Sequence, residues 1–187
     1  MISNDGWPVE RGRKGLPVWR LNRILFLIQK RIQLLGETDR EIPLVWSTMH
    51  MYTTMQLAKL IAIQRKLDPE LAGLVCAFHD IYTLLTGQYN DHGVLAEKYI
   101  REIIAEYNEI ARDELPIITT TEIECIISSA KVHSNKLTKE VNEYSELLKD
   151  IDSLDSYLAG TSPGRTSGRI PRINQLFEAL NIDHKIE

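Results

Sequence analysis

The chain has 187 residues, 43% hydrophobic and 26% charged, with a formal net charge of −4. This is an ordinary globular balance, so it excludes a chain that is disordered by default. Without a long basic run, no extended, sequence-independent nucleic-acid surface is expected, although a local basic loop could still grip phosphate.

Residues 1–15 are polar and carry no apolar core of signal-peptide type, so this segment is expected to be loosely ordered. The stretch from Leu16 to Leu35 is broken by Arg20, Arg23, Lys30 and Arg31, which excludes a membrane span there. Instead, Leu21, Leu25, Ile28, Ile32 and Leu35 recur at helical spacing, which predicts a first helix over Val18–Leu35 with Gly36 as its stop. A second helix is expected over Leu44–Lys66. Asp68 then caps a third, with Pro69 in its first turn, and this helix is expected to run on to just before Gly87. A fourth spans Asp91 to Ala111, after which Leu115-Pro116 interrupts the pattern.

Thr119 and Glu122 have capping-box spacing for a fifth helix ending near Lys131. A sixth runs from Lys139 to Ala159, stopped by Gly160. A turn-rich loop follows, and a short last helix begins at Pro171. Strand-type alternation is almost absent. The expected fold class is therefore all-α, a single-domain irregular helical bundle over 16–187.

Two cysteines, Cys76 and Cys125, are far apart and read as small buried apolar residues. They cannot build a thiolate cluster alone. Their scarcity agrees with a reducing cytoplasm, the expected location.

The chemistry is carried by histidines. Of five, His50, His79, His92 and His133 each fall on a different predicted helix or at its end. Facing helices of a bundle assemble sites in this way. A lone histidine is more often a surface or hydrogen-bonded residue, so context decides. His50 lies among apolar and small residues. His79-Asp80 follows eight residues without a charge, a costly place for an ionisable pair unless something compensates. A divalent cation compensates well, because neutral imidazole and carboxylate both ligate it. Two buried histidines and two acids could equally be ordinary hydrogen-bonded core residues.

A histidine, then a His-Asp dyad, then a distant aspartate in DIDSLDSYLAG resembles the HD superfamily of metal-dependent phosphohydrolases. The segments LDPELAGLVCAFHDI, DHGVLAEKYIREII and IISSAKVHSNK are similar to the family's in the same order, and the resemblance covers about residues 45–160. It implies an HD-type helical domain. His50, His79, Asp80 and Asp152 would be its metal ligands, with Asp150 the competitor for the last place. Ser153 stands where an arginine is frequent, Ile151 where alanine is, and Tyr82 where a glycine is usual.

The resemblance further implies hydrolysis of phosphate esters, nucleotides or small phosphomonoesters, by metal-activated water. Manganese, iron, cobalt, nickel or magnesium suits the nitrogen and oxygen donors, and zinc remains open. His92 and His133 would either contact substrate phosphate or bind a second ion. Cations are needed where phosphoryl charge develops, and the candidates are Lys98, Lys131, Arg165 and Arg169. Each also reads as a solvated helix or loop residue. Asp80 is placed among the catalytic residues, and Glu97 and Asp155 are candidates for proton transfer. Trp46 and Tyr82 could stack on a base or simply pack. A di-iron oxygenase on the same scaffold and a non-catalytic, metal-stabilised binding or signalling module are the competing classes. A homodimer through an exposed apolar face of the first helix is a further expectation.

Overall fold

The computed structural model describes residues 15–111, 115–164 and 166–187. The expected loose segment falls outside these, apart from Gly15. Among the described residues there are eight helices and no strand. They are α1 (Trp19–Ile32), α2 (Leu44–Arg65), α3 (Pro69–Phe78), α4 (Ile81–Thr86), α5 (His92–Ala111), α6 (Thr120–Val132), α7 (Glu143–Leu158) and α8 (Arg169–Ala179). No helix among them is long and apolar enough to cross a membrane.

Local chemistry accounts for most boundaries. The Asp68 carboxylate accepts from the backbone N–H groups of Glu70 and Leu71 and starts α3, with Pro69 in the first turn. The Thr119–Glu122 capping box forms as expected at the start of α6. Val18 offers α1 no side-chain cap. Glu70 supplies it from another helix, accepting from the backbone N–H groups of Arg20 (2.8 Å) and Leu21 (3.3 Å). The Arg20 guanidinium then bonds both Glu70 (2.7 Å) and Glu122 (2.8 Å), which ties α1 to the N-termini of α3 and α6.

Helix α3 is the centre of the molecule, and eight of its ten residues are buried. Buried apolar residues from all eight helices form one cluster around it, including Leu21, Ile28, Met55, Leu74, Phe78, Ile100, Ile126, Ile151 and Ile173. Truncating Phe78 to Ala there would cost about 3–5 kcal/mol. The apolar stripe of α1 (Leu21, Ile24, Leu25, Ile28, Ile32) is buried in this cluster. This stripe is therefore not free for a second copy, and the exposed apolar residues of the segment are Leu16, Trp19 and Leu34.

Several boundaries differ from the sequence reading, and α1 ends at Ile32 rather than Leu35. Residues 69–86 are not one helix: the chain leaves α3 at Phe78 and restarts as α4 at Ile81. Asp80 sits in the joint with φ −110° and ψ 21°, outside the helical region. Helix α7 starts at Glu143 rather than Lys139, because the Asn142 side chain accepts from the Tyr144 N–H and caps it there. Helix α8 starts at Arg169, two residues before Pro171.

Candidate metal centre

The break after α3 determines how the site is built. On a continuous helix, adjacent His79 and Asp80 would diverge by about 100°. At the joint between α3 and α4, the His79 Nε2 and the Asp80 carboxylate instead approach within 3.4 Å. Four other elements aim at the same place. The first half of α2 contributes His50, the start of α5 His92, the end of α6 His133, and the middle of α7 Asp152. Gly93 allows α5 to lie close to α6, since a Cβ there would run into the Ala130 carbonyl.

All four imidazoles are oriented through Nδ1. His79 donates to the Cys76 carbonyl (2.7 Å), His92 to Tyr89 (2.7 Å) and His133 to Ala130 (2.6 Å), each three residues earlier in the chain. His50 instead bonds the Asp155 carboxylate at 2.6 Å. With Nδ1 carrying the hydrogen, each ring in its neutral, metal-ligating form turns the Nε2 lone pair inward.

These lone pairs meet each other. The Nε2 atoms of His50 and His79 are 3.2 Å apart, and those of His92 and His133 are 3.0 Å apart. Asp80 lies between the two pairs. Its Oδ2 is 3.7 Å from His50 Nε2 and 3.4 Å from His79 Nε2, and its Oδ1 is 3.2 Å from both His92 and His133. Among the described residues, Asp80 Oδ1 is the buried side-chain oxygen left without a hydrogen-bond partner. Acceptors packed against acceptors, with an orphaned carboxylate oxygen among them, fit a cation and are unfavourable without one. Two donor groups have metal-binding spacing: His50, His79 and Asp152, and His79, Asp80 and His133.

The electrostatics agree with that fit. Burial acts to raise the Asp80 carboxyl, but the imidazoles of His79 and His133 outweigh it and hold Asp80 well below the usual carboxylate range. Burial acts the same way on Asp152, and Lys136, His50 and Arg169 hold it low as well. Burial opposes charge on His50, yet its bonds to Asp152 and Asp155 prevail and lift it to about 10 in the metal-free centre, so a cation bound there would displace the His50 Nε2 proton. His133 is pushed down, chiefly by burial. The centre is a pocket of fixed negative charge beside imidazole nitrogen, which favours divalent cations.

The centre opens into a cleft of about 280 Å³. Arg169, Ser134, Ser156 and Thr161 line one part of it, and Ile42, Trp46 and Tyr89 another. Trp46 is stacked on His50, with ring centroids 6.2 Å apart.

A family model described as HD domain matches residues 48–157, more than half of the chain. The chain belongs to the HD domain family. No curated protein and no solved structure matches it. HD domains are typically metal-dependent hydrolases, and the matched residues include the His79-Asp80 pair at the α3–α4 joint.

Within this HD domain the other expected site residues divide into two groups. His92, His133 and Arg169 are at the cleft. Arg169 Nη1 donates to the Asp152 carbonyl (3.2 Å) and the Ser156 hydroxyl (3.1 Å). Glu97, Lys98 and Lys131 are not at the cleft, which corrects their expected catalytic place. Lys131 bonds Glu97 at 2.5 Å on the outer faces of α5 and α6, and Lys98 is 73% exposed beside Glu102. Tyr82 packs near Tyr99 instead of facing the cleft. Asp155 is behind His50, where it orients the ring rather than meeting a substrate. Asp150 is held by Arg65 and Arg172, at 2.7 Å each, and points away from the histidines. Arg165 lies outside the described residues.

Sequence reasoning missed Lys136. Its neighbours Ser134, Asn135, Thr138 and Lys139 read as surface, yet its side chain is 1% exposed against Asp152. His133-Ser134, three residues earlier, was the available signal.

Proposed function

We propose that this HD domain is a metal-dependent phosphohydrolase whose His50, His79, Asp80, His92, His133 and Asp152 would hold two divalent ions. The reading rests on one observation: the two Asp80 oxygens divide between two imidazole pairs, each pair turning its Nε2 atoms toward them. His50, His79 and Asp152 would complete one set of ligands, and His92 and His133 the other. A bound divalent ion supplies Lewis acidity toward a phosphoryl oxygen and brings the ionisation of water near neutral pH.

The chain's own groups do the rest. Asp155 holds the His50 ring through Nδ1 and strengthens Nε2 as a donor. Arg169, already braced by Ser156 and the Asp152 carbonyl, presents its guanidinium to the cleft, where it can fork onto phosphoryl oxygens. Ser134 and Thr161 add hydroxyl donors. Trp46 offers a flat apolar wall to the organic part of the ester, which suits a nucleotide or another small phosphomonoester.

The test is elemental analysis of protein purified without chelator, followed by a manganese-supplemented hydrolysis screen over nucleotides and phosphomonoesters. About two metal equivalents with phosphate release support the reading. Metal-replete protein that holds no specific ion sinks it. The second histidine pair also serves a di-iron oxygenase, and two irons with oxygen consumption and no hydrolysis would select that chemistry.

A further inference from the structure

Lys136 is one of the most deeply buried charges in the molecule, and none of its side chain lines the cleft. A buried ammonium is costly unless its hydrogens are all used. Here it bonds Asp152 Oδ2 in a close ion pair and donates to the His133 carbonyl at 2.5 Å. Arg169 Nη2 adds a second cation at 3.5 Å from the same Oδ2. The other oxygen, Asp152 Oδ1, faces His50 Nε2 at 3.2 Å. The two oxygens of Asp152 therefore have different tasks: one is tied down by cations and the other is turned toward the imidazoles. The position of Lys136 is itself fixed, since its carbonyl accepts from Arg172 Nε at 2.8 Å.

We propose that Lys136 is a positioning residue that acts through Asp152, offering the ion a single carboxylate oxygen and offsetting part of that carboxylate's charge. This rests on the metal-site reading above. Two consequences act in the same direction. Occupying Oδ2 keeps Asp152 from turning both oxygens to the ion. The lysine's own charge repels a divalent cation and weakens what Asp152 donates to it. The ion is then held less tightly than the ligand set alone would hold it, and it remains a stronger Lewis acid. The bond to the His133 carbonyl also ties the end of α6, which carries one histidine of the second pair, to the ligand on α7.

A lysine that only held the fold together would make the site worse when removed. The proposal predicts the reverse for affinity. The full-length, metal-free chain and its Lys136→Met and Lys136→Gln variants are titrated with manganese by calorimetry, with folding checked by circular dichroism in the same samples. Gln keeps a donor for the His133 carbonyl and serves if Met does not fold. The expected result is manganese bound roughly tenfold more tightly or better by the folded variant, as removal of a nearby positive charge requires. With a hydrolysed phosphomonoester, kcat falls while KM stays, because Lys136 does not line the cleft. Unchanged or weaker manganese binding by a folded variant overturns the proposal. Failure of the wild-type chain to bind manganese overturns the metal-site reading itself, and this inference with it.

Discussion

His92 and His133 point their Nε2 atoms at each other across 3.0 Å, each ring fixed from behind by a carbonyl of its own chain segment. If this pair holds an ion, His133→Ala should lower metal content from about two equivalents to about one while leaving the first ligand set loaded. Elemental analysis of the folded variant checks this. A variant that keeps its full metal content would remove the second site.

Asp155 touches the centre only through His50, at 2.6 Å from Nδ1. Asp155→Asn keeps an acceptor but loses the charge, so metal affinity or activity should fall about 10–100-fold. Competition against a chelator of known affinity measures it. Full retention of both would mean that the contact does nothing for the ligand.

Asp150 and Asp152 lie two residues apart on α7, about 200° around the helix, and should respond differently. Asp150→Asn breaks bonds to Arg65 and Arg172 and should cost about 1–3 kcal/mol of stability with metal content unchanged. Asp152→Asn should instead lose metal. Thermal melts and elemental analysis on both variants separate the two roles, and metal loss in the Asp150 variant would reverse the assignment.

Glu122 gives a pH signature away from the centre. Burial acts to raise its pKa, but the Thr119 backbone and hydroxyl and the Arg20 guanidinium prevail and hold it below the ordinary glutamate value of 4.5. A carboxyl depressed in the folded state stabilises fully above its unfolded pKa, and the benefit fades as pH falls through the folded one. Glu122→Gln should therefore melt below wild type at neutral pH, with the gap closing only under pH 4.5. A gap independent of pH would locate the effect in packing.

Much of this was legible in the sequence because it depends on short-range chemistry. Asp68 with Pro69, and Thr119 with Glu122, mark helix starts by groups that bond within three residues. His50 and His79-Asp80 were legible as ionisable groups in apolar surroundings, and the Asp152 segment through its resemblance to the family's. The break at His79–Asp80 was not, because residues 71–79 hold no proline and no charge, and α4 resumes the apolar run. Only the tertiary surroundings of Asp80 reveal it. Glu97, Lys98 and Lys131 were chosen for their nearness to the motifs along the chain. Helical rotation places them on outer faces, where Glu97 and Lys131 find each other. Lys136 was hidden for the opposite reason: its polar neighbours face water while it alone turns inward.

The carbonyls that hold His79, His92 and His133 belong to the turn immediately before each ring. Two of these turns are the last of α3 and α6, where helices ordinarily fray. Fraying there would free an imidazole, so ion capture and the intactness of those turns are one equilibrium. Amide exchange in the final turns of α3 and α6 should slow on loading, and dissociation of the ion should proceed through local opening rather than through motion of the whole bundle.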